Sequence, residues 1–254
     1  MLAMHTAWFD FNLIPIDIFT LLTLGSAFTA FFTACFGIGG GVMLLGVMAQ
    51  VLPPQVIIPL HGVVQLGSNL GRALLGWQHI QWRIIRVFLP GALIGAALGS
   101  LVLVAIPPTV MYLTIALFIL YSCWGPKIPR VVLGTMGMLI ASGITTFISL
   151  FVGATGPLVA AFIKQLEIDR FRTVATFAMI MSLQHGVKII VFEGVDIPIL
   201  PWWPLFVCMI ISGGIGTWLG FKMLTRVTDK HFNLAFDLIL TLLAIRLLWQ
   251  AMTG

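Results

Sequence analysis

Apolar runs of roughly membrane-spanning length, separated by short polar turns, dominate the chain. They fall at Ile16–Phe36, Val56–Trp77, Ile84–Ala105, Thr109–Trp124, Val131–Val152, Val174–Phe192, Trp202–Phe221 and Phe232–Ala251. A helix of about 20 such residues crosses roughly 30 Å of hydrocarbon. Two shorter apolar pieces, Val42–Val51 and Leu158–Ile163, are too brief to cross straight. The runs show almost no polar alternation. Backbone in lipid must satisfy its own hydrogen bonds, so this pattern predicts helices rather than barrel strands. The expected fold is all-α, a polytopic transmembrane helix bundle in a lipid bilayer.

Composition sharpens that picture. Of 254 residues, 60% are hydrophobic and only 8% charged, against about 25% charged in soluble domains. The net charge of +5 lies mainly in short loops, where it sets membrane orientation and gives no reason to expect nucleic acid. Cys35, Cys123 and Cys208 all sit inside apolar runs without metal-ligand spacing and read as packing residues. The acids Asp10 and Asp17, with no basic region ahead of the first apolar run, argue for a retained first helix rather than a cleaved signal peptide.

The chain also repeats itself. FGIGGGV around Gly37 and VGATGPL around Gly153 are separated by an offset of 116, from 153 minus 37. The same offset pairs Ser68 with Gln184, Asn69 with His185, and Arg72 with Lys188. After five inserted residues, Gly95 and Gly99 meet Gly216 and Gly220. Residues 1–126 and 127–254 are therefore expected to be two repeats. Equivalent loops carry opposed charge. His79, Arg83 and Arg86 face Glu193 and Asp196; the uncharged Leu52–Gln55 faces Lys164, Arg170 and Arg172; the uncharged Pro107–Pro108 faces Lys222, Arg226 and Lys230. With basic loops in the cytoplasm, and the basic linker GPKIPR there too, the halves have inverted topology. Each is expected to be a glycine-broken hairpin followed by three spans, with both termini on the periplasmic side.

Several features could carry chemistry. Gly37, Gly39, Gly40 and Gly41 lie close together inside an apolar segment, and each weakens a helix by about 1 kcal/mol relative to alanine. A helix broken there would start its next segment with free N–H groups and partial positive charge, an anion site. Thr155, Gly156 and Pro157 repeat the device. Close helix packing is the alternative reading of the same glycines. His61, Gln65, Ser68 and Arg72, with Asn69 beside them, form a polar stripe on one helix face, and Gln184, His185 and Lys188 with Met181 form a weaker one. Arg72 and Lys188 either line a site or snorkel to the interface. His61 and His185 are either satisfied bundle residues or proton carriers. Gly91, Gly95 and Gly99 read as a helix-packing ridge. Trp77, Trp82, Trp202 and Trp203 read as interfacial belts.

The order GIGGG, LPPQVI, a polar helix with Ser68-Asn69, a basic loop and PGALIGAALGS resembles the sulfite exporter TauE/SafE family over nearly the whole chain, with GATGP standing for a fuller glycine cluster in the second half. The resemblance implies a bacterial inner-membrane permease for sulfur-containing anions such as sulfite or organosulfonates. The expected function is a secondary transporter working by alternating access, with Gly39, Gly40, Gly41, His61, Gln65, Ser68, Asn69, Arg72, Thr155, Gly156, Gln184, His185 and Lys188 as substrate-binding residues. A proton is the candidate coupling ion and a homodimer the candidate assembly. An anion channel of the same architecture is the alternative. An enzyme is a third reading, but no HExxH motif, paired carboxylates or cysteine–histidine spacing supports it, and no catalytic residue, metal or cofactor is expected.

Overall fold

The computed structural model describes residues 14–36, 39–102, 107–126, 134–166, 168–194, 199–223 and 230–253. Gly37, Asp10, most of the GPKIPR linker, Asp196 and Arg226 lie outside them, as do the side chains of Lys164, Arg170 and Lys230. The described residues form α1 (Ile16–Phe36), α2 (Gly40–Val51), α3 (Pro54–Leu75), α4 (Trp82–Val102), α5 (Pro108–Trp124), α6 (Thr135–Val152), α7 (Gly156–Lys164), α8 (Arg170–Glu193), α9 (Trp203–Met223) and α10 (Lys230–Thr253). No strand occurs among them.

Within the described residues, each apolar run expected to be helical forms a helix. Five helices (α1, α4, α6, α8 and α9) are long and apolar enough to cross a membrane, and the chain is a multi-pass membrane protein. At 22 residues α3 has the length as well, but His61, Gln65, Asn69 and Arg72 make one face of it polar. Prolines open α3, α5 and α7 within their first turn, where a missing N–H costs no helical hydrogen bond.

Both glycine clusters interrupt the helix. The chain leaves α1 and enters α2 through Gly39 at φ 104°, and leaves α6 through Gly153 at φ 80°. Side chains rarely adopt that region, whereas glycine enters it freely. Beyond the first break α2 folds back onto α1 so closely that a Cβ on Gly40 would strike the Thr29 carbonyl and the Thr33 hydroxyl.

Packing between the halves is reciprocal. The first helix of each half packs on the fourth of the other: α1 on α9 and α6 on α4. The third helices, α3 and α8, pack on each other, and so do α5 and α10. Along α1 and α9 the contacts climb together, from Ser212 on Thr23 to Cys35 on Gly220, so these two run parallel. Along α3 and α8 they run in opposite senses: Gly62 meets Lys188, and Gly76 meets Ala175. Those two are antiparallel.

The outer surface is apolar, and a set of polar side chains is buried within a largely apolar interior. Leu93, Ile94, Leu98 and Leu101 of α4 and Ile211, Ile215 and Trp218 of α9 are exposed, while Ser26, Thr29, Ser142, Thr146 and Gln184 are buried. The glycine ridges bring backbones together, as small residues do in lipid. A Cβ on Gly95 would overlap the Gly143 carbonyl of α6, and one on Gly216 the Ala27 carbonyl of α1. Gly214, two residues away on α9, has open space instead. Gly216→Val is therefore expected to abolish the monodisperse detergent-solubilised protein on gel filtration, and Gly214→Val to leave its yield near wild type.

Candidate functional site

The antiparallel pair α3 and α8 runs through the centre of the molecule, between the two breaks. There a cavity of about 30 Å³ is lined from the first half by Thr33, Gly39, Gly41, Val42, His61, Gln65 and Asn69. The second half contributes Ala154, Gly156, Pro157, Phe177, Met181 and His185. On the scale of buried water this is room for about two molecules, so only a compact ligand fits. The start of α2 and the start of α7 both border it, which brings two helix N-termini with free N–H groups to one small space.

The lining follows the offset of 116 seen in the sequence. That offset turns His61 into Phe177, Gln65 into Met181 and Asn69 into His185, and all six line the cavity. The antiparallel crossing relates these positions about a common centre, so His61 meets His185 while Phe177 lies toward the other end. Polarity is unequally shared, however. The wall from α3 is histidine, glutamine and asparagine; that from α8 is phenylalanine, methionine and histidine.

A hydrogen-bonded relay along α3 fixes the polar wall. The Arg72 guanidinium donates to Asn69 Oδ1 at 3.1 Å, and Asn69 Nδ2 donates to Gln65 Oε1 at 3.0 Å and to the Gln65 carbonyl at 2.8 Å. With its oxygen so engaged, the Gln65 amide nitrogen turns toward Gly41. His61 Nε2 lies 2.8 Å from the Gly41 carbonyl. A carbonyl only accepts, so Nε2 carries the hydrogen and the neutral ring keeps a bare Nδ1. Nδ1 of His61 and Nδ1 of His185 are both buried with no partner among the described residues. The two rings stand edge to face, centroids 5.8 Å apart.

The remaining expected site residues surround the cavity without lining it. Gly40 packs on α1, as above. Ser68 is buried in α3. Thr155 donates to Gln184 Oε1 at 2.7 Å, and Gln184 Nε2 donates to Thr146 at 3.1 Å, so Gln184 ties the second break to α6. Lys188 Nζ donates to the carbonyls of Gly153 at 2.5 Å and Ser149 at 3.4 Å. Its charge thus meets the negative end of α6. Neither cation snorkels: Arg72 is 1% exposed and Lys188 0%. No described carboxylate borders the cavity or bonds to these groups.

The sequence reading did not single out Thr33, Phe177 or Met181 as an anion's neighbours. A signal for Thr33 was present: Ser26, Thr29 and Thr33 recur at the same offset as Ser142, Thr145 and Ser149, and all six are buried. Phe177 and Met181 look like ordinary core residues until α8 is placed against α3.

A family model described as Sulfite exporter TauE/SafE matches residues 22–247. That is nearly the whole chain, and the chain belongs to this family. No curated protein and no solved structure matches it.

The placement of Lys188 has a measurable consequence. Lys188→Met takes the ammonium donor from the buried Gly153 carbonyl, a loss of about 1–3 kcal/mol. A lower thermal unfolding midpoint in detergent is expected, whereas Ser68→Ala should leave that midpoint close to wild type.

Proposed function

We propose that this TauE/SafE family member is a secondary transporter carrying a small sulfur-containing oxyanion, such as sulfite or a small organosulfonate, across the bacterial inner membrane. The observation that carries this reading is the meeting of two helix N-termini and the polar face of α3 at one cavity, with Arg72 and Lys188 buried nearby and no described carboxylate there. Fixed dipoles and buried cations favour negative charge, and a site of about 30 Å³ selects a compact anion. Gln65, held by Asn69, and the free N–H groups of α2 and α7 would bind its oxygens. Arg72 acts through Asn69, and Lys188 contributes field rather than contact.

Alternating access by two inverted repeats is the mechanism that agrees best with the packing. The reciprocal pairing of α1 with α9 and α6 with α4 is what a two-fold relation between halves would give. The antiparallel run of the equivalent helices α3 and α8 supports inversion, as do the opposed loop charges. Rocking about the α3–α8 contact would open the site to each side in turn. An inside-negative potential drives an anion outward by about 2.3 kcal/mol per charge per 100 mV, and protonation of His61 or His185 would couple a proton to that movement. Both termini would lie in the periplasm.

Reconstituted protein in sulfite-loaded liposomes is expected to show saturable flux and counterflow of labelled sulfite; linear flux without counterflow would mean a channel instead. Asn69→Leu, which severs the relay from Arg72 to Gln65, should reduce the flux about 10-fold or more while the protein stays folded. For topology, a reporter fused after Gly254 should be active only when the reporter works in the periplasm.

A further inference from the structure

The unequal walls of the cavity bear on which oxyanions it accepts. On the second half's side of the cavity, Phe177 and Met181 stand where an offset of 116 from His61 and Gln65 would otherwise place another histidine and glutamine. Phe177 is 5% exposed and Met181 4%, and Gly156 at the start of α7 packs against the Phe177 ring. An oxygen turned to that side meets a phenyl ring and a thioether, neither of which donates a hydrogen bond. The α3 side offers the Gln65 amide nitrogen, and the lining as a whole includes His61 and His185, whose Nδ1 atoms have no partner among the described residues.

We propose that Phe177 and Met181 are specificity-determining residues that make the site select one-sided oxyanions and reject those with a fourth oxygen, such as sulfate. A one-sided oxyanion carries three oxygens on one face and a lone pair or small apolar group on the other. Sulfite is pyramidal, with the lone pair on sulfur; methanesulfonate has a methyl group there. Either can place its oxygens on the α3 wall and the helix N-termini while its bare side lies on Phe177 and on the polarizable sulfur of Met181. Sulfate has the same charge as sulfite but a fourth oxygen. However it turns, one oxygen is stripped of water against the apolar wall and left without a donor. An unpaired buried polar atom weakens binding by on the order of 10–100-fold, and a site that rejects a ligand in this way discriminates far more sharply than one sensing size alone. This deepens the transport reading above and rests on it.

The test uses the full chain in proteoliposomes at alkaline pH, where sulfite and sulfate are both dianions. Labelled sulfite flux is measured in the wild type with unlabelled sulfite, methanesulfonate or sulfate as competitors. Sulfite and methanesulfonate are expected to compete, and sulfate to need at least about 10-fold more for the same inhibition. Met181→Gln and Phe177→His, which give the second wall the residues of the first, should narrow that ratio several-fold by improving sulfate. Equal competition by sulfate in the wild type overturns the proposal without recourse to any variant. So does an unchanged ratio in variants that fold and carry sulfite. Wild-type protein that moves no sulfite at all fails differently, refuting the transport reading itself.

Discussion

A bilayer interior offers the backbone no hydrogen-bonding partner, so any break in a helix at that depth has to be satisfied by protein. This chain breaks twice, at Gly39 and Gly153, and the polar side chains of its core answer those breaks. Lys188 donates to Gly153 and Ser149 at the end of α6. His61 engages the Gly41 carbonyl at the start of α2, and Gln184 joins Thr155 of the second break to Thr146. Much of the polarity of α3 and α8 is thus structural necessity. What the breaks leave over, two helix N-termini and the free ends of a few amides and imidazoles, is what the proposed site is built from.

That economy explains why site and scaffold are hard to separate here. Lys188 looks like an anion ligand by type and position, yet its ammonium is committed to carbonyls. Arg72 likewise reaches the cavity only through Asn69 and Gln65. Both charges still shape the potential inside, because neither is neutralised by a described carboxylate and both are shielded from water.

The reciprocal packing of the halves gives the cavity its form. Helices α3 and α8 cross antiparallel and each gives the cavity residues at matching offsets, so any difference between the halves becomes a difference between two parts of one lining. The first half gives His61, Gln65 and Asn69; the second gives Phe177, Met181 and His185. In a molecule of two identical halves the lining would match, and here its polarity is uneven.

The sequence by itself determined the helices and the membrane, because spans of apolar residues and a near absence of charge leave the chain no other way to bury its backbone. It also determined the breaks, since glycine clusters weaken a helix locally wherever they occur, and it marked α3 as polar on one face by simple periodicity. The tertiary structure alone decided which polar groups are spent on the backbone and which remain for a ligand. Gln184, Lys188 and Thr155 carry the residue types of a binding site, but the approach of α8 to the end of α6 consumes their hydrogen-bonding capacity. Thr33, Phe177 and Met181 have unremarkable local patterns and enter the cavity only because α1, α3 and α8 meet there. A hydrogen bond is a relation between two groups, and a sequence read along one chain names only one of them.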